Sequence, residues 1–375
     1  MIHPGALGDF IQALPALAAL RADAGAERLA LLTPASLERL AAESGLFDEI
    51  VTYDAVTVFH GTLRARLRLV GALARRLRGG AFTRAVIFKA SPAYAALAAA
   101  AGIPTRIGFA RSGERAGRAP VQRLASRLLT RPVWYTAGRH REDRNADLVA
   151  AAGADPARRA TIGWGAADGA GVLVGALPTD AILVGIAPGG ARNVKEEMPC
   201  RRWPVDRYVD LARQLARAEP RMHFVLLGGP GDAAETVAVR AALDPARTVD
   251  LTARTSLADA RGVIARLHAF VGNDSALLHL AATTDTPLVA IFGPSDPREA
   301  CPRRADVVAL WNPARSVPCL DDVTGRLPPC VSPCCITRVD VDVVLAAVLD
   351  AVRDGVVRSR SPDAHVGASQ CSRRA

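Results

Sequence analysis

At 375 residues the chain has about 2.5 times the length of an ordinary domain, which excludes a single small domain and predicts two. Half of the residues are hydrophobic and 22% are charged, a composition that excludes a disordered chain. The net charge is +10, and nearly all of the 47 basic residues are arginine, because Lys89 and Lys195 are the only lysines.

In the first part of the chain, short apolar runs alternate with longer amphipathic ones, which predicts a parallel sheet covered by helices. Residues 111–140 are predicted to form loops, and the glycine-rich segment Gly163–Asp180 to form a linker. The predicted strands are Leu29–Thr33, Ile50–Tyr53, Ala85–Lys89 and Arg106–Phe109. The predicted helices are Ile11–Arg21, Ala35–Glu43, Leu63–Arg78, Ala93–Ala101 and Asn145–Ala152.

The alternation restarts after the linker and predicts a second α/β unit of similar size. Its predicted strands are Ile182–Ala187, His223–Leu227, Thr248–Leu251, Ala269–Val271, Leu288–Phe292 and Val307–Leu310. Its predicted helices lie near 205–218, 232–242, 257–266, 275–284 and 339–352. The predicted domains are therefore 1–165 and 182–354, separated by a linker at 166–181 and followed by a disordered tail at 355–375. Because open parallel sheets bind ligands at the carboxyl ends of their strands, we expect a cleft between the domains.

No run of residues is long and apolar enough for a membrane-spanning helix, and the N-terminus lacks the basic segment of a secretory signal. The seven cysteines are odd in number and irregularly spaced, in a chain too long to need disulfides for stability. We therefore expect a reduced, cytoplasmic environment.

A glycine turn opens the chain, and Asp9 follows it near the start of the first predicted helix. Glycines such as Gly8 let the backbone bend sharply and let a ligand approach closely. Two interpretations of Asp9 are open. Its carboxylate either stabilises the N-terminus of the helix or points into the cleft as a general base.

Gly189 and Gly190 form a second glycine turn, after the first predicted strand of the second unit. Lys195 lies in the same loop, and Arg201 follows in front of a helix that is predicted to begin at Pro204. Backbone amides next to cationic side chains make this loop a candidate anion site. A solvated surface loop is the alternative.

A third motif again joins the end of a strand to the start of a helix. Asn273 or Asp274 is predicted to cap the helix, which leaves the amides of Ser275 and Ala276 free to attract a phosphate. His279 shares a helix face with Ser275, and its role is either catalytic or one of packing and hydrogen bonding. A serine hydrolase is not favoured, because the G-x-S-x-G elbow is missing.

A competing motif, Gly229–Ala234, fits the G-x-G-x-x-A pattern of a dinucleotide site, with Asp250 at the end of the next strand. It would indicate an NAD-dependent oxidoreductase. Two features count against it. The motif follows the second strand of its unit, and Pro230 has no N–H group with which to bind a pyrophosphate.

The helix predicted at Leu63–Arg78 is rich in arginine and has no acidic neighbour between Ala55 and Gly113. This face is either solvated or attracts an anionic membrane or a phosphorylated acceptor. Nucleic acid is not favoured, because no aromatic residues alternate with the arginines. The basic residues of the helix are Arg64, Arg66, Arg68, Arg75, Arg76 and Arg78.

Four cysteines cluster in sequence near the C-terminal end, at Cys319, Cys330, Cys334 and Cys335. They include no C-x-x-C pair, and two adjacent cysteines rarely bind the same tetrahedral ion. Free thiols are therefore predicted here in preference to a structural zinc site.

Taken together, the ordered motifs resemble glycosyltransferase family 9, which includes the lipopolysaccharide heptosyltransferases. The resemblance covers most of the chain. It rests on Pro4–Asp9 with Leu14–Leu17, Arg106–Phe109, Pro188–Gly190, Arg201–Pro204, Gly272–Ser275 with His279–Ala281, and Phe292–Pro297.

The resemblance implies a GT-B fold, in which two Rossmann-like domains face each other across a cleft. It also implies an inverting transfer of a sugar that needs no metal and no other cofactor. By the same resemblance, Asp9 is the general base that removes a proton from the acceptor hydroxyl. We expect Gly8, Lys89, Arg64 and Arg68 on the acceptor side.

On the donor side, Arg201 falls where the family has a lysine that binds the diphosphate, and Asp274 where an aspartate holds sugar hydroxyls. Asp232 falls near an acidic position associated with the donor ribose. The other residues expected around the donor are Gly189, Gly190, Lys195, Ser275, Ala276 and His279.

The chain departs from the family pattern in three places: Met1–His3 is very short for a first strand, Ala276 replaces a glycine, and Arg201 replaces the lysine. The sequence predicts a glycosyltransferase that moves a sugar, such as heptose from ADP-heptose, to a lipopolysaccharide-type or other surface-glycan acceptor. Contact with an anionic membrane is part of this prediction. Two alternatives remain, namely an NAD-dependent oxidoreductase and a non-catalytic binding protein with the same fold.

Overall fold

The computed structural model describes residues 1–24, 27–110, 126–165, 173, 178, 180–192, 197–313, 320 and 334–360. These residues form two compact units. The first is Met1–Gly165, and the second comprises the described residues that follow. Both units are α/β structures whose paired strands run parallel.

The strands of the first unit form one sheet that is completed by the N-terminal residues. Ile2 bridges Leu32 on one side and Ile87 on the other, and its N–H donates to the Val86 carbonyl at 2.9 Å. Phe88 in turn donates to the Ile2 carbonyl at 3.0 Å. The order is β2-β1-Ile2-β3-β4-β5, with β1 at Ala30–Pro34, β2 at Glu49–Tyr53, β3 at Arg84–Ile87, β4 at Thr105–Ala110 and β5 at Arg131–Trp134.

Two elements of the first unit differ from the sequence prediction. The strand β5 lies within the segment predicted to be loops, and three of its four residues are exposed, so it lacks an apolar signature. A short helix at Ala55–His60 was not predicted, and Asp54 caps it by accepting from the Val56 and Thr57 amides. The described helices are Leu7–Ala24, Glu38–Glu43, Ala55–His60, Leu63–Gly79, Pro92–Ala100 and Arg141–Ala151, with a 3-10 turn at Ala35–Leu37.

The second unit has a six-stranded sheet in the order β11-β10-β9-β6-β7-β8. The chain enters the middle of the sheet, builds one side and then crosses to build the other, as in a dinucleotide-binding fold. The strands are β6 (Ile182–Ala187), β7 (Met222–Leu226), β8 (Thr248–Asp250), β9 (Ala269–Asn273), β10 (Leu288–Phe292) and β11 (Val307–Trp311).

Helices cover this sheet and bury a core that includes Trp203, Tyr208 and Leu211. The final helix reaches Arg360 and so extends past residue 355, where the tail was predicted to begin; residues 361–375 lie outside the described part. The helices are Val205–Ala218, Ala233–Arg240, Leu257–Ile264, Ala276–Ala281, Pro297–Ala300, Cys334–Thr337 and Val341–Arg360, with 3-10 turns at Pro199–Arg201, Pro230–Asp232 and Pro245–Arg247.

Each sheet has a switch point, where neighbouring strands are followed by connections that leave in opposite directions. In the second unit the switch lies between β6 and β9, and in the first it lies between Ile2 and β3. Ligands of such sheets bind outside the carboxyl ends of the strands at this point. The segments that follow these strands are therefore the places to look for a site. No described helix is both long and apolar enough to span a membrane.

Candidate functional site

Asp9 lies in the first turn of the helix Leu7–Ala24, directly after Gly8 and beside the switch point of the first sheet. The Ala6 amide donates to Asp9 Oδ2 at 3.3 Å, so the carboxylate also stabilises the turn that leads into the helix. A side chain at Gly5 would bring its Cβ within 2.7 Å of Asp9 Cβ. Glycine is required at that position because the turn folds closely over the carboxylate.

Two cations from other segments hold the Asp9 carboxylate. Arg141 Nη1 donates to Asp9 Oδ1 at 2.9 Å and also contacts Gln12, and Lys89 Nζ lies 3.9 Å from Asp9 Oδ2. Lys89 follows β3, and Arg141 begins the helix Arg141–Ala151. The Asp9 side chain remains 33% exposed, so solvent or a substrate can reach it.

The protonation state of Asp9 is set by opposing effects. Burial would raise the pKa of Asp9, but the positive charges of Arg141 and Lys89 lower it, and the net pKa lies well below the usual range of a carboxyl group. Asp9 is therefore ionised at neutral pH. This is the form that a base needs before it accepts a proton.

His3 lies close to Asp9 and was not singled out from the sequence. Its ring is 3% exposed and packs edge-on against Phe10, with a centroid distance of 5.1 Å. Its Nδ1 is buried and has no hydrogen-bond partner in the described part of the chain. Burial lowers the pKa of His3 from 6.5 to about 4, so the ring is neutral at pH 7.

Of the four residues expected on the acceptor side, two lie next to Asp9 and two lie on a separate helix. Gly8 and Lys89 lie at the Asp9 cluster, and a shallow pocket opens beside Lys89, lined also by Ser91 and Phe109. Arg64 and Arg68 instead lie on the exposed face of the helix Leu63–Gly79. The cations that hold Asp9 are Lys89 and Arg141, and Arg141 was missed by the sequence analysis because it is remote in sequence from Asp9.

In the second unit, Asp232 forms hydrogen bonds with both of the turns that follow β6 and β7. Its carboxylate accepts from the amides of Gly190 and Gly229 and from Arg192 Nη1, each at 2.8 Å. A side chain at Gly189 would collide with Asp232. Asp232 therefore holds the glycine turn in place, and its predicted contact with the donor ribose stays a prediction.

Asp274 follows β9 and faces Arg201. Arg201 Nη2 donates to Asp274 Oδ2 at 2.5 Å and to the Asp274 carbonyl at 2.9 Å, while His279 Nε2 lies 3.5 Å from Asp274 Oδ1. Burial would raise the pKa of Asp274, but Arg201 and His279 lower it well below the usual range. Arg201 Nε is buried and finds no partner within the described residues, while the Arg201 side chain as a whole stays 20% exposed.

The predicted cap of the next helix is wrong. Ser275 occupies the N-cap position of Ala276–Ala281 and makes no side-chain capping bond. Asn273 instead uses all four of its hydrogen-bonding positions: Nδ2 donates to the Pro188 and Gly189 carbonyls, and Oδ1 accepts from the Trp203 amide and the Tyr208 hydroxyl. This buried amide fixes the glycine turn relative to β9, because it is bonded to both.

The glycine turn also packs against the third motif. Gly190 has a φ of +94°, and a Cβ there would lie 2.7 Å from Ser275 Cβ. Both facts require glycine at this position. Gly190, Ser275 and Asp274 therefore lie together at the switch point of the second sheet.

An ion-pair network missed by the sequence analysis surrounds this turn. Arg192 Nη2 and Arg202 Nη1 both donate to Glu235 Oε1 at 2.9 Å, and Arg202 Nη2 donates to Glu197 Oε1 at 2.5 Å. The two pairs with Glu235 join residues that are distant in sequence, so no local pattern predicts them. Pro204 is the N-cap of Val205–Ala218 and not its first residue, as had been predicted.

The competing dinucleotide motif is not supported by its geometry. It follows β7, which lies away from the switch point, and the Gly229 amide donates to Asp232. Because Pro230 has no N–H, two of the groups that would bind a pyrophosphate are not available. Asp250 lies 3.6 Å from Arg240 and accepts from the Thr252 amide at 3.0 Å.

Several predicted residues cannot be placed. Lys195, Cys319 and Cys330 lie outside the described residues, as does the side chain of Cys334. Cys335 is buried. Within the described ranges, no group of three or more His, Cys, Asp or Glu side chains could hold a metal ion, and metal independence stays a prediction.

Comparisons with known proteins agree on one family. Residues 70–326, more than half of the chain, match the family model described as glycosyltransferase family 9 (heptosyltransferase). Lipopolysaccharide heptosyltransferase 2 of Salmonella typhimurium is 37% identical over 124 residues, which is 32% of this chain and 34% of that protein. The chain thus matches about a third of the length of this curated relative.

Solved structures are similar over nearly the whole chain. The ADP-heptose lipopolysaccharide heptosyltransferase II of E. coli matches with a TM-score of 0.68 at 21% identity, over 94% of this chain and 98% of that one. A glycosyl transferase family 9 protein of Veillonella parvula matches with a TM-score of 0.72 at 18% identity, over 94% and 96%. These matches confirm the predicted α/β, GT-B class, whereas the predicted cleft stays a prediction.

Proposed function

The chain belongs to glycosyltransferase family 9, and on that premise we propose that it is an inverting heptosyltransferase with a lipopolysaccharide-type acceptor. ADP-heptose is the proposed donor, because a heptosyltransferase of the same fold carries that donor in its name. The observation that carries the proposal is Asp9, an ionised and partly exposed carboxylate in the first turn of the helix Leu7–Ala24.

In the proposed reaction, the oxygen of an acceptor hydroxyl attacks the anomeric carbon of the heptose. The bond from that carbon to the diphosphate breaks, and its electron pair leaves with ADP. Asp9 takes the hydroxyl proton, and the attack from the opposite face inverts the anomeric configuration. A general base of this kind contributes typically about 10²–10⁴-fold to the rate.

Arg141 and Lys89 have a double effect on this base. They keep Asp9 ionised before the reaction, and their positive charges make the protonated form short-lived afterwards. The proton therefore passes readily to solvent, which regenerates the carboxylate for the next turnover. Lys89 also borders the pocket that we assign to the acceptor.

The donor is assigned to the residues around Asp274. Negative charge develops on the diphosphate as it leaves, and cationic groups aimed at it lower the barrier. Arg201 is the proposed partner, because its side chain is a cation that stays 20% exposed beside Asp274. Asp274 would accept hydrogen bonds from sugar hydroxyls, with Gly189 and Gly190 allowing the diphosphate to approach the backbone.

The test is the variant Asp9→Asn, which keeps the size of the side chain and removes its basicity. We expect kcat for heptosyl transfer to fall about 10²-fold or more, while calorimetry gives an unchanged Kd for ADP-heptose. Asp23→Asn is the matched control, since Asp23 is an aspartate at the far end of the same helix that pairs with Arg158.

Three outcomes would contradict the proposal. Near-normal turnover of Asp9→Asn would remove Asp9 as the base. Tight binding of NADH together with no binding of ADP-heptose would favour the oxidoreductase alternative. Binding of ADP-heptose without turnover in the wild-type protein would favour a non-catalytic binding protein.

A further inference from the structure

Exposed large apolar side chains are concentrated in one short segment of the first unit. Elsewhere in the described residues, exposed side chains of this kind are scattered: Trp134, Val205, Val237, Val308 and Val343. The concentrated group, with exposed fractions, is Val56 (54%), Phe59 (41%), Leu63 (72%), Leu67 (63%) and Val70 (48%). Clustered exposure of this kind marks an interaction surface, whereas single exposed side chains are ordinary.

These side chains lie on two consecutive helices, Ala55–His60 and Leu63–Gly79, which we call the helix pair. Arg66 Nη2 donates to the Phe59 carbonyl at 2.9 Å and joins the two helices. Leu63, Leu67 and Val70 have the i, i+4, i+7 spacing that places them in one stripe. At the C-terminal half of the longer helix, Leu73 and Leu77 are buried, so only the N-terminal half presents an uncovered apolar stripe.

A stripe of arginines runs beside the apolar one. Arg64, Arg68 and Arg75 are at positions i, i+4 and i+11, and all three are exposed. They take no part in the ion pairs of the described residues, whereas Arg76 pairs with Glu49. No acidic residue occurs between positions 55 and 113, so this segment itself supplies no carboxylate that would neutralise these three arginines.

We propose that the helix pair is a docking surface for the headgroup region of an anionic lipid bilayer. A helix with basic residues beside exposed leucine, valine and phenylalanine lies in the plane of such an interface, with the apolar side chains among the acyl chains and the guanidinium groups at the phosphates. A soluble phosphorylated glycan would engage the arginines but would leave the five apolar side chains in water. A bilayer satisfies both stripes at once.

The proposal does not depend on the sugar or on Asp9, and it is tested without catalysis. The full-length protein is sedimented with vesicles of phosphatidylcholine alone and of phosphatidylcholine mixed with phosphatidylglycerol. We expect binding to the mixed vesicles that weakens as salt is added, because exposed charges are screened. Equal binding to both kinds of vesicle, or none to either, would overturn the proposal.

Two double variants separate the contribution of the arginines to vesicle binding from that of the leucines. Arg64→Gln with Arg68→Gln should lower binding to the mixed vesicles about 25-fold, since each basic residue near such a surface contributes about fivefold. Leu63→Gln with Leu67→Gln should lower it by about tenfold or more, through loss of apolar burial at exposed positions where glutamine keeps the helix. The control for the arginine variant is Arg217→Gln with Arg266→Gln, and the control for the leucine variant is Val237→Gln. All three positions are exposed in the second unit, and these controls should leave vesicle binding unchanged.

Other occupants give distinct results that would overturn the proposal. If the arginine variant loses affinity for a deacylated phosphorylated acceptor and still binds vesicles, the surface recognises the glycan. If the leucine variant changes a dimer into a monomer and still binds vesicles, the apolar stripe is a contact between two copies. Transfer to a water-soluble acceptor should remain at the wild-type rate in the leucine variant, so failure of the docking proposal is distinguishable from failure of the proposed activity.

Discussion

Asp9 owes its lowered pKa to side chains that are distant from it in sequence. Arg141 donates to it directly, and Lys89 lies 3.9 Å away, on the connection that follows β3. The sequence motif therefore predicts where Asp9 lies, but it does not predict its pKa. The glycine turn is local and has a signature, whereas the arginine that holds the carboxylate arrives through the packing of the helix Arg141–Ala151 against Leu7–Ala24.

Removing this arginine should change the pH dependence of the proposed reaction. Arg141→Gln deletes the positive charge that lowers the pKa of Asp9, so the pKa rises toward the usual carboxyl range. Because the reaction needs ionised Asp9, the acidic limb of the pH profile of kcat/KM should move to higher pH, by about one unit or more. Arg139→Gln is the control, since Arg139 pairs with Asp147 and not with Asp9. A limb that moves equally in both variants would contradict the assignment.

His3 should make the first unit sensitive to mild acid. Its folded pKa of about 4 lies below the ordinary 6.5, so the unfolded chain binds the proton first as the pH falls. The free energy of unfolding should therefore fall between pH 6.5 and 4, by about 3 kcal/mol from this group. Urea unfolding of wild type and of His3→Leu across that range isolates the effect, because leucine does not titrate. A pH dependence that is identical in the two proteins would show that His3 does not carry it.

At the scale of elements, the glycine turn after β6 is held by three neighbours. Asp232 accepts from the Gly190 amide, Asn273 donates to the Gly189 carbonyl, and Ser275 packs against Gly190. The turn is thus preorganised by protein groups before any ligand arrives. The sequence predicted the turn and its glycines, but it assigned Asn273 or Asp274 to capping a helix whose N-cap is Ser275.

The turn should tolerate no side chain at Gly190. Gly190→Ala places a Cβ at a positive φ and against Ser275, so we expect a loss of about 2 kcal/mol in stability and weaker binding of ADP. Gly71→Ala is the matched control, because Gly71 lies in a helix with open space around its Cβ position and should gain about 0.5–1 kcal/mol. Scanning calorimetry should show opposite shifts in Tm. An unchanged Tm and ADP affinity in Gly190→Ala would contradict this account of the turn.

The helices and strands whose side chains are most buried were predicted best from the sequence. The strands β6 and β10 were predicted to the residue, because each is a continuous buried apolar run bounded by turns. The helix Val205–Ala218 was equally clear, since its buried side chains recur with helical spacing. The edge strand β5 and the helix Ala55–His60 bury little and were missed.

At the scale of the whole molecule, both units use the same order of strands around a switch point. In the first unit, three N-terminal residues take the place of the central strand, because sheet segments on both sides supply hydrogen bonds to Met1–His3. Asp9 and Lys89 follow one switch point, and Gly190 and Asp274 follow the other. The motifs were predictable because topology fixes where they lie. The ion pairs of Arg141, Arg192 and Arg202 were not predictable, because the packing of the fold determines which side chains these arginines contact.

The arginine excess divides among several roles. Arg192 and Arg202 form the network around Glu235, Arg201 pairs with Asp274, and Arg64 and Arg68 stay exposed on the helix pair. The arginine content of the sequence alone does not distinguish these roles. The burial of each arginine and its ion-pair partners distinguish them, since a guanidinium that is paired with a carboxylate stabilises a turn, whereas an unpaired one attracts an anionic partner.

The most direct test of the central claim is proton NMR of the wild-type reaction with ADP-heptose and a deacylated lipopolysaccharide acceptor. The account predicts that the anomeric signal of the donor disappears while ADP forms and one heptosyl product signal of the opposite anomeric configuration appears. Retention of the donor configuration, or an ADP-heptose signal that persists unchanged with active acceptor present, would contradict it.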